Sequence, residues 1–250
     1  MSTEATFNRM ILAAMDRNSS ETCFRVWRAG RYRDISYRHF RRQTLRLTQV
    51  FQERGLAGER LAIWAGNSPE WMVTYLAAQL AGAVAVPLRR ALPAEAGGRI
   101  LTDCGASWVA VQTAREASWL RDSASKLPEL KGVLVLGTEA DGDETGEEEP
   151  SAVEVARLAD WVADRLTRKA VARIREHALE VTPESFAGIQ YTTTPGGSPL
   201  GAVFDQGQHA AALESLESWL PFEDDDLGFT VLPWDYAPSL WAALHYFVSG

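Results

Sequence analysis

Among the 250 residues, few side chains stand at spacings that could do chemistry. His39, His177, His209 and His245 have no nucleophile or ligand partner at a recognisable interval, so each reads as structural or exposed. Cys23 and Cys104 stand apart, with no CxxC and no Cys/His cluster, and read as reduced thiols rather than a metal site or a disulfide framework. No G-x-S-x-G elbow of a hydrolase occurs. What remains is the run Tyr191 to Gly201, YTTTPGGSPLG, rich in hydroxyls and glycines. Read alone it is a plain Gly/Pro turn between two strands. It is not the nucleotide P-loop, which ends in Gly-Lys-Ser/Thr.

The surrounding elements alternate. Arg31 to Tyr37 reads as a short strand, with Ser36 then capping a helix through Phe40, Leu45, Leu47 and Phe51 towards Gly55. Leu61 to Trp64 is an apolar strand. SPEWMVTYLAAQLAG then carries Ser68 as N-cap, Pro69 at the first helical position, Glu70 in the first turn and Gly82 past the end. Further units are a strand Val84 to Pro87, a helix from Pro93 to Cys104, a strand Trp108 to Val111, a helix from Glu116 to Leu127, and a strand Gly132 to Leu136. Residues 152–179 place Val155, Leu158, Trp161, Val162, Leu166, Ala170 and Ile174 at helical spacing, which predicts one amphipathic helix with room for a single break. Strands are expected at Gly188 to Thr192, Ala202 to Phe204 and Phe229 to Leu232, and helices at His209 to Leu220 and Ser239 to Val248. Apolar, β-branched strands alternating with helices predict an α/β fold with a largely parallel sheet covered on both faces.

Composition bounds the function. Hydrophobic residues make up 46% and charged residues 23%, a globular balance. All 25 Lys and Arg precede Glu176, whereas residues 176–250 hold 11 acidic side chains and no Lys or Arg. That asymmetry argues against nucleic-acid binding. Met10 to Met15 is too short for a signal segment, and Met72 to Leu88 is too interrupted for a membrane span, so a cytoplasmic protein is expected. Residues 138–151, TEADGDETGEEEPS, read as an acidic, solvated, mobile loop.

Three segments carry a family resemblance. RLAIWAGNSPEWMVTYLAAQLAGAVAVPL (Arg60 to Leu88), QYTTTPGGSPLGAVFDQGQ (Gln190 to Gln208) and GFTVLPWDYAPSLWAALHYFVSG (Gly228 to Gly250) resemble, in order and spacing, blocks of the AMP-forming adenylating family, specifically its long-chain acyl-CoA synthetases. The family is one of ATP-dependent acid–thiol ligases, using ATP, Mg and CoA. The resemblance implies that residues 1–250 form an acyl-CoA synthetase-like N-terminal, AMP-binding-like region, an incomplete part of the adenylating-enzyme fold without the C-terminal domain.

In that family the second block holds the ATP polyphosphate: glycines admit backbone N–H groups, hydroxyls bond the oxygens and a lysine offsets the charge. The corresponding positions here are Thr192, Thr193, Thr194, Gly196, Gly197 and Gly201, a degenerate phosphate loop. Thr194 replaces a glycine, Pro195 and Gly196 replace two threonines, and Leu200 occupies the lysine position. Asp205-Gln206 stands for a Thr-His pair, and Tyr236 for a histidine. No catalytic and no metal-binding residue is assigned, and no cofactor is expected.

The resulting expectation is an acyl-CoA synthetase-like protein unable to adenylate, a pseudoenzyme or remnant with a binding role. Two alternatives stay open: half of a split fatty acid-CoA ligase completed by a partner, and a weak nucleotide or acyl-CoA binding module. An open sheet edge and the apolar helix from Ser239 to Val248 further predict a homodimer, or a protein partner covering that edge.

Overall fold

The helix signals of residues 68–82 act locally as their chemistry dictates. The Ser68 hydroxyl accepts the Trp71 N–H at 3.1 Å, and Gly82 closes the end at φ +76°, a conformation costly for any residue with a Cβ. The resulting helix is buried from Trp71 to Leu80 on every side, which makes it the centre of the molecule rather than a surface helix.

The computed structural model describes residues 5–17, 21–137, 152–163, 165–193, 198–223 and 226–249. In chain order the elements are α1 (Phe7–Arg17), β1 (Thr22–Arg28), β2 (Arg31–Ser36), α2 (Tyr37–Glu53), β3 (Arg60–Trp64), α3 (Pro69–Leu80), β4 (Val84–Leu88), α4 (Ala94–Cys104), β5 (Trp108–Val111) and α5 (Ala114–Asp122). A short 3-10 turn, Ala124–Lys126, precedes β6 (Gly132–Val135), β7 (Glu154–Arg157), α6 (Leu158–Ala163), α7 (Arg168–Glu180), β8 (Phe186–Thr193), β9 (Pro199–Asp205), α8 (Gln206–Trp219) and α9 (Ala237–Ser249).

Seven strands form one sheet in the order β7-β6-β5-β3-β4-β8-β9. All neighbours are parallel except β9, which runs antiparallel to β8 as a hairpin. β1 and β2 form a separate antiparallel ribbon. Period-2 alternation divides the core. Leu61, Ile63, Trp108, Ala110 and Leu134 face the layer of α1, α2, α3, α6, α7 and α9. Ala62, Trp64, Val109, Val111, Val133 and Val135 face α4 and α5. The expected α/β fold, a largely parallel sheet with helices on both faces, is the one observed.

Two local expectations need correction. Residues 152–179 are not one helix: Glu154–Arg157 pairs with β6 as the edge strand β7, and α6 and α7 follow. The stripe still reaches the core through Leu158 and Ile174, but four residues next to an unpaired strand gain more from completing a ladder than from a helical turn. Phe229 to Leu232 is not a strand; it is irregular, with Phe229 85% and Val231 76% exposed, because no described strand lies beside it to pair with. Two further elements, α1 and β1, carry no expectation from the patterning. The acidic segment 138–151 lies outside the described residues.

Candidate functional site

Parallel strands bring their carboxyl ends to one side of the sheet, where ligands of open α/β folds bind. Arg89 and Arg90 follow β4 there, Gln112 and Thr113 follow β5, and the β8–β9 connection closes the row. The loop hairpin is set by the pairs Tyr191↔Gly201, Thr192↔Leu200 and Thr193↔Pro199. Thr192 is exposed at its end. Thr194, Gly196 and Gly197, with Pro195, lie outside the described residues.

Gly201 has a packing reason to lack a side chain. A Cβ there would stand 2.8 Å from Ile189 Cγ2 and 3.0 Å from the Tyr191 ring. The Tyr191 ring therefore crosses the hairpin, and its hydroxyl donates to the Asp103 carboxylate on α4. Burial, and then this bond to an anion, push the phenol far above its ordinary range. Leu200, opposite Thr192, is 57% exposed and neutral.

The third block docks through Asn67, in the turn after β3. Asn67 Nδ2 donates to the Leu232 carbonyl at 2.9 Å, and the Trp234 N–H donates to Asn67 Oδ1 at 3.0 Å. Arg89 reaches Asp235 at 3.1 Å, and Trp234 meets Trp71 edge-on with centroids 5.2 Å apart. Blocks one and three thus meet beside the carboxyl end of β4, with Tyr236 half exposed at their margin.

Asp205 and Gln206, which the resemblance sets against a Thr-His pair, are committed elsewhere. Asp205 caps α8: its carboxylate accepts the Gln208 N–H, and Gln208 Oε1 accepts the Asp205 N–H at 2.9 Å. Gln206 is buried, donating to Gln79 Oε1 and accepting the Asn8 N–H, each at 3.0 Å. His209 is also buried, its Nε2 2.9 Å from the Tyr75 hydroxyl, and burial lowers its pKa to about 4. An imidazole held neutral inside the core is a packing group. His39 is exposed, His177 half-buried, and His245 buried against the Leu220 carbonyl at 2.8 Å. Among the described residues no three His, Cys, Asp or Glu side chains cluster closely enough to hold a metal ion. No described helix is long and apolar enough to cross a membrane.

Two cavities flank α5. One, of about 510 Å³, lies at the carboxyl ends of β3 and β5, between Trp64, Trp119, Leu92, Arg90 and the first turn of α5. Trp64 and Trp119 meet edge-to-face with centroids 5.9 Å apart. Gly97 of α4 lies so close to Trp64 that a Cβ would come within 2.1 Å of the indole. The other, of about 720 Å³, runs between α4 and the end of α5 to Pro199, with Glu95, Arg99, Asp103 and Lys126 on its walls. Sequence reasoning did not single out Arg90, Trp64 or Trp119. The available signal was a pair of arginines directly after an apolar strand, Val84–Leu88.

The sequence profile described as AMP-binding enzyme matches residues 13–250. Rat long-chain-fatty-acid–CoA ligase 5 is 27% identical over 211 residues, which is 81% of this chain and 30% of that protein. A long-chain-fatty-acid-CoA ligase (FadD1) from Archaeoglobus fulgidus shares the fold with a TM-score of 0.76 at 17% identity, covering 98% of this chain and 45% of that one. ATP-bound MatB from Rhodopseudomonas palustris gives a TM-score of 0.73 at 22% identity, over 99% of this chain and 44% of that one. The chain therefore spans less than a third of the rat ligase and under half of each of these two structures.

Proposed function

The chain belongs to the AMP-binding enzyme family, and on that premise we propose that it is an acyl-CoA synthetase-like domain that does not itself adenylate a carboxylate. The observation that supports this reading is Leu200. It stands at the loop's lysine position, opposite Thr192 and more than half exposed, so the group meeting a phosphate there is a neutral alkyl chain. Losing one preorganised cationic or donor contact removes about 2.7–4 kcal/mol of transition-state stabilisation, roughly 10² to 10³ in rate. Pro195 supplies neither hydroxyl nor N–H, Tyr236 replaces a histidine, and Asp205 and Gln206 are tied into a helix cap and a buried amide network. The described residues of the hairpin do not fit a polyphosphate, and no step is derived through one.

The test is pyrophosphate release from ATP–Mg with a long-chain fatty acid. No turnover above the blank is expected, and Leu200→Lys alone leaves it absent because the other departures remain. Turnover that disappears in Thr192→Ala, or micromolar ATP–Mg binding by calorimetry, overturns the reading.

A second reading, that the domain binds a CoA-type ligand, is favoured by the cavity of about 510 Å³. Apolar aromatic walls with guanidinium groups at the rim suit an adenine ring carrying phosphates, and the cavity sits where open α/β sheets take ligands. Titration with CoA and with pantetheine decides it: CoA should bind more tightly, and Arg90→Ala should weaken CoA about tenfold and leave pantetheine unchanged. Equal affinities for the two would sink this reading.

A further inference from the structure

The β1–β2 ribbon stands outside the main sheet and carries a charge opposite to that of the molecule. Residues 22–36 hold four arginines against a single carboxylate, Asp34, in a chain of net charge −8. Two of the arginines on the ribbon are matched: Arg25 with Asp34 at 2.8 Å and Arg28 with Glu70 at 2.7 Å. Arg31 and Arg33 are exposed, and among the described residues neither has a carboxylate partner. Between them stands Tyr32, 66% exposed, directly opposite Trp27, 62% exposed. The two rings meet edge-on with centroids 4.9 Å apart. The tip is a tight two-residue turn, Ala29 at φ +50° and Gly30 at φ +76°, with no bulky side chain of its own.

We propose that this ribbon is a docking surface for an anionic lipid membrane. Trp and Tyr are the side chains that settle at the headgroup level, where one end is apolar and the other wet, and guanidinium groups beside them meet lipid phosphates. Alternation puts Trp27 and Tyr32 on one face of the ribbon and Arg31 and Arg33 on the other, so an end-on approach brings both kinds of group to the surface. Only the tip has to touch, which spares the acidic remainder of the molecule from an anionic surface. A polynucleotide, by contrast, would have to track past that acidic surface, and a base-stacking platform needs an open ring face that the edge-on pair does not leave on both partners. The inference is independent of whether the domain adenylates.

Vesicle flotation tests it. The protein should float with vesicles of 30% phosphatidylglycerol in phosphatidylcholine and not with pure phosphatidylcholine, and 0.5 M salt should reverse most of the binding. An arginine near an anionic surface contributes about fivefold to partitioning, so Arg31→Ala/Arg33→Ala should weaken it about 25-fold, while Arg31→Lys/Arg33→Lys keeps it within a few-fold. Trp27→Ser/Tyr32→Ser should remove the part that survives high salt. These positions are exposed, so an unchanged melting temperature accompanies each variant. Equal binding to neutral vesicles, no effect of the Ala pair, or tighter binding to a single-stranded oligonucleotide or to a second copy of the chain than to vesicles overturns the proposal.

Discussion

Gln79→Leu should destabilise the protein through a network that joins four elements far apart in the chain. Gln79 is fully buried on α3; its Nε2 donates to the Ala187 carbonyl at 2.8 Å, and its Oε1 accepts from Gln206 Nε2 at 3.0 Å. Gln206 in turn accepts the Asn8 N–H, one of the first-turn donors of α1 that has no partner within its own helix. Leucine matches the side chain in size but orphans the Ala187 carbonyl and the Gln206 amide. At about 1–3 kcal/mol for each buried group left unpaired, the cost is about 4 kcal/mol, or about 8–16 °C in melting temperature for a chain of this length. Gln206→Leu orphans two groups as well, the Asn8 N–H and Gln79 Oε1, and should cost the same. The double variant leaves two orphans, not four, because the amide–amide bond is lost from both sides. Chemical denaturation of the four proteins therefore has a defined signature: each single near 4 kcal/mol and the double near 4 rather than near 8. Strict additivity, or singles below about 1 kcal/mol, would refute the reasoning and mean that water or a repacked neighbour satisfies these groups.

Two further outcomes follow from the core. Gly132→Ala puts a Cβ 2.4 Å from the Trp108 ring, inside a cluster where Trp108 also packs on Trp161, so the overpacked side chain should cost about 1–3 kcal/mol in thermal unfolding. His209 has a pKa near 4 when folded, against about 6.5 in an unfolded chain, so the unfolded state binds the extra proton between those values. Stability should be fully present above pH 6.5 and fall by about 3 kcal/mol as pH drops to 4, and His209→Gln, which keeps an acceptor for Tyr75, should flatten that slope in urea titrations.

Local chemistry made much of this molecule readable from its sequence. Ser68, Pro69 and Gly82 write the boundaries of α3 in a few residues, and apolar β-branched runs between helices required a parallel sheet with two covered faces, because nothing else buries strands with no polar side. The expectation of a lysine at Leu200 and a histidine at Tyr236 came instead from the family resemblance of the blocks around them. The tertiary structure decided what depends on a distant partner. Residues 154–157 became a strand because β6 offered an unpaired edge, and residues 229–232 did not because no described strand lies beside them. The start of α1 was invisible because Gln206, 198 residues further on, supplies an acceptor that no local signal could announce. Gly201 looked like a phosphate-loop glycine, yet the Tyr191 ring that fills the space above it is visible in three dimensions alone. Types and spacing of residues determine which short-range bonds can form; which of them survive is settled by the long-range contacts that bury them, and those exist only once the chain has folded.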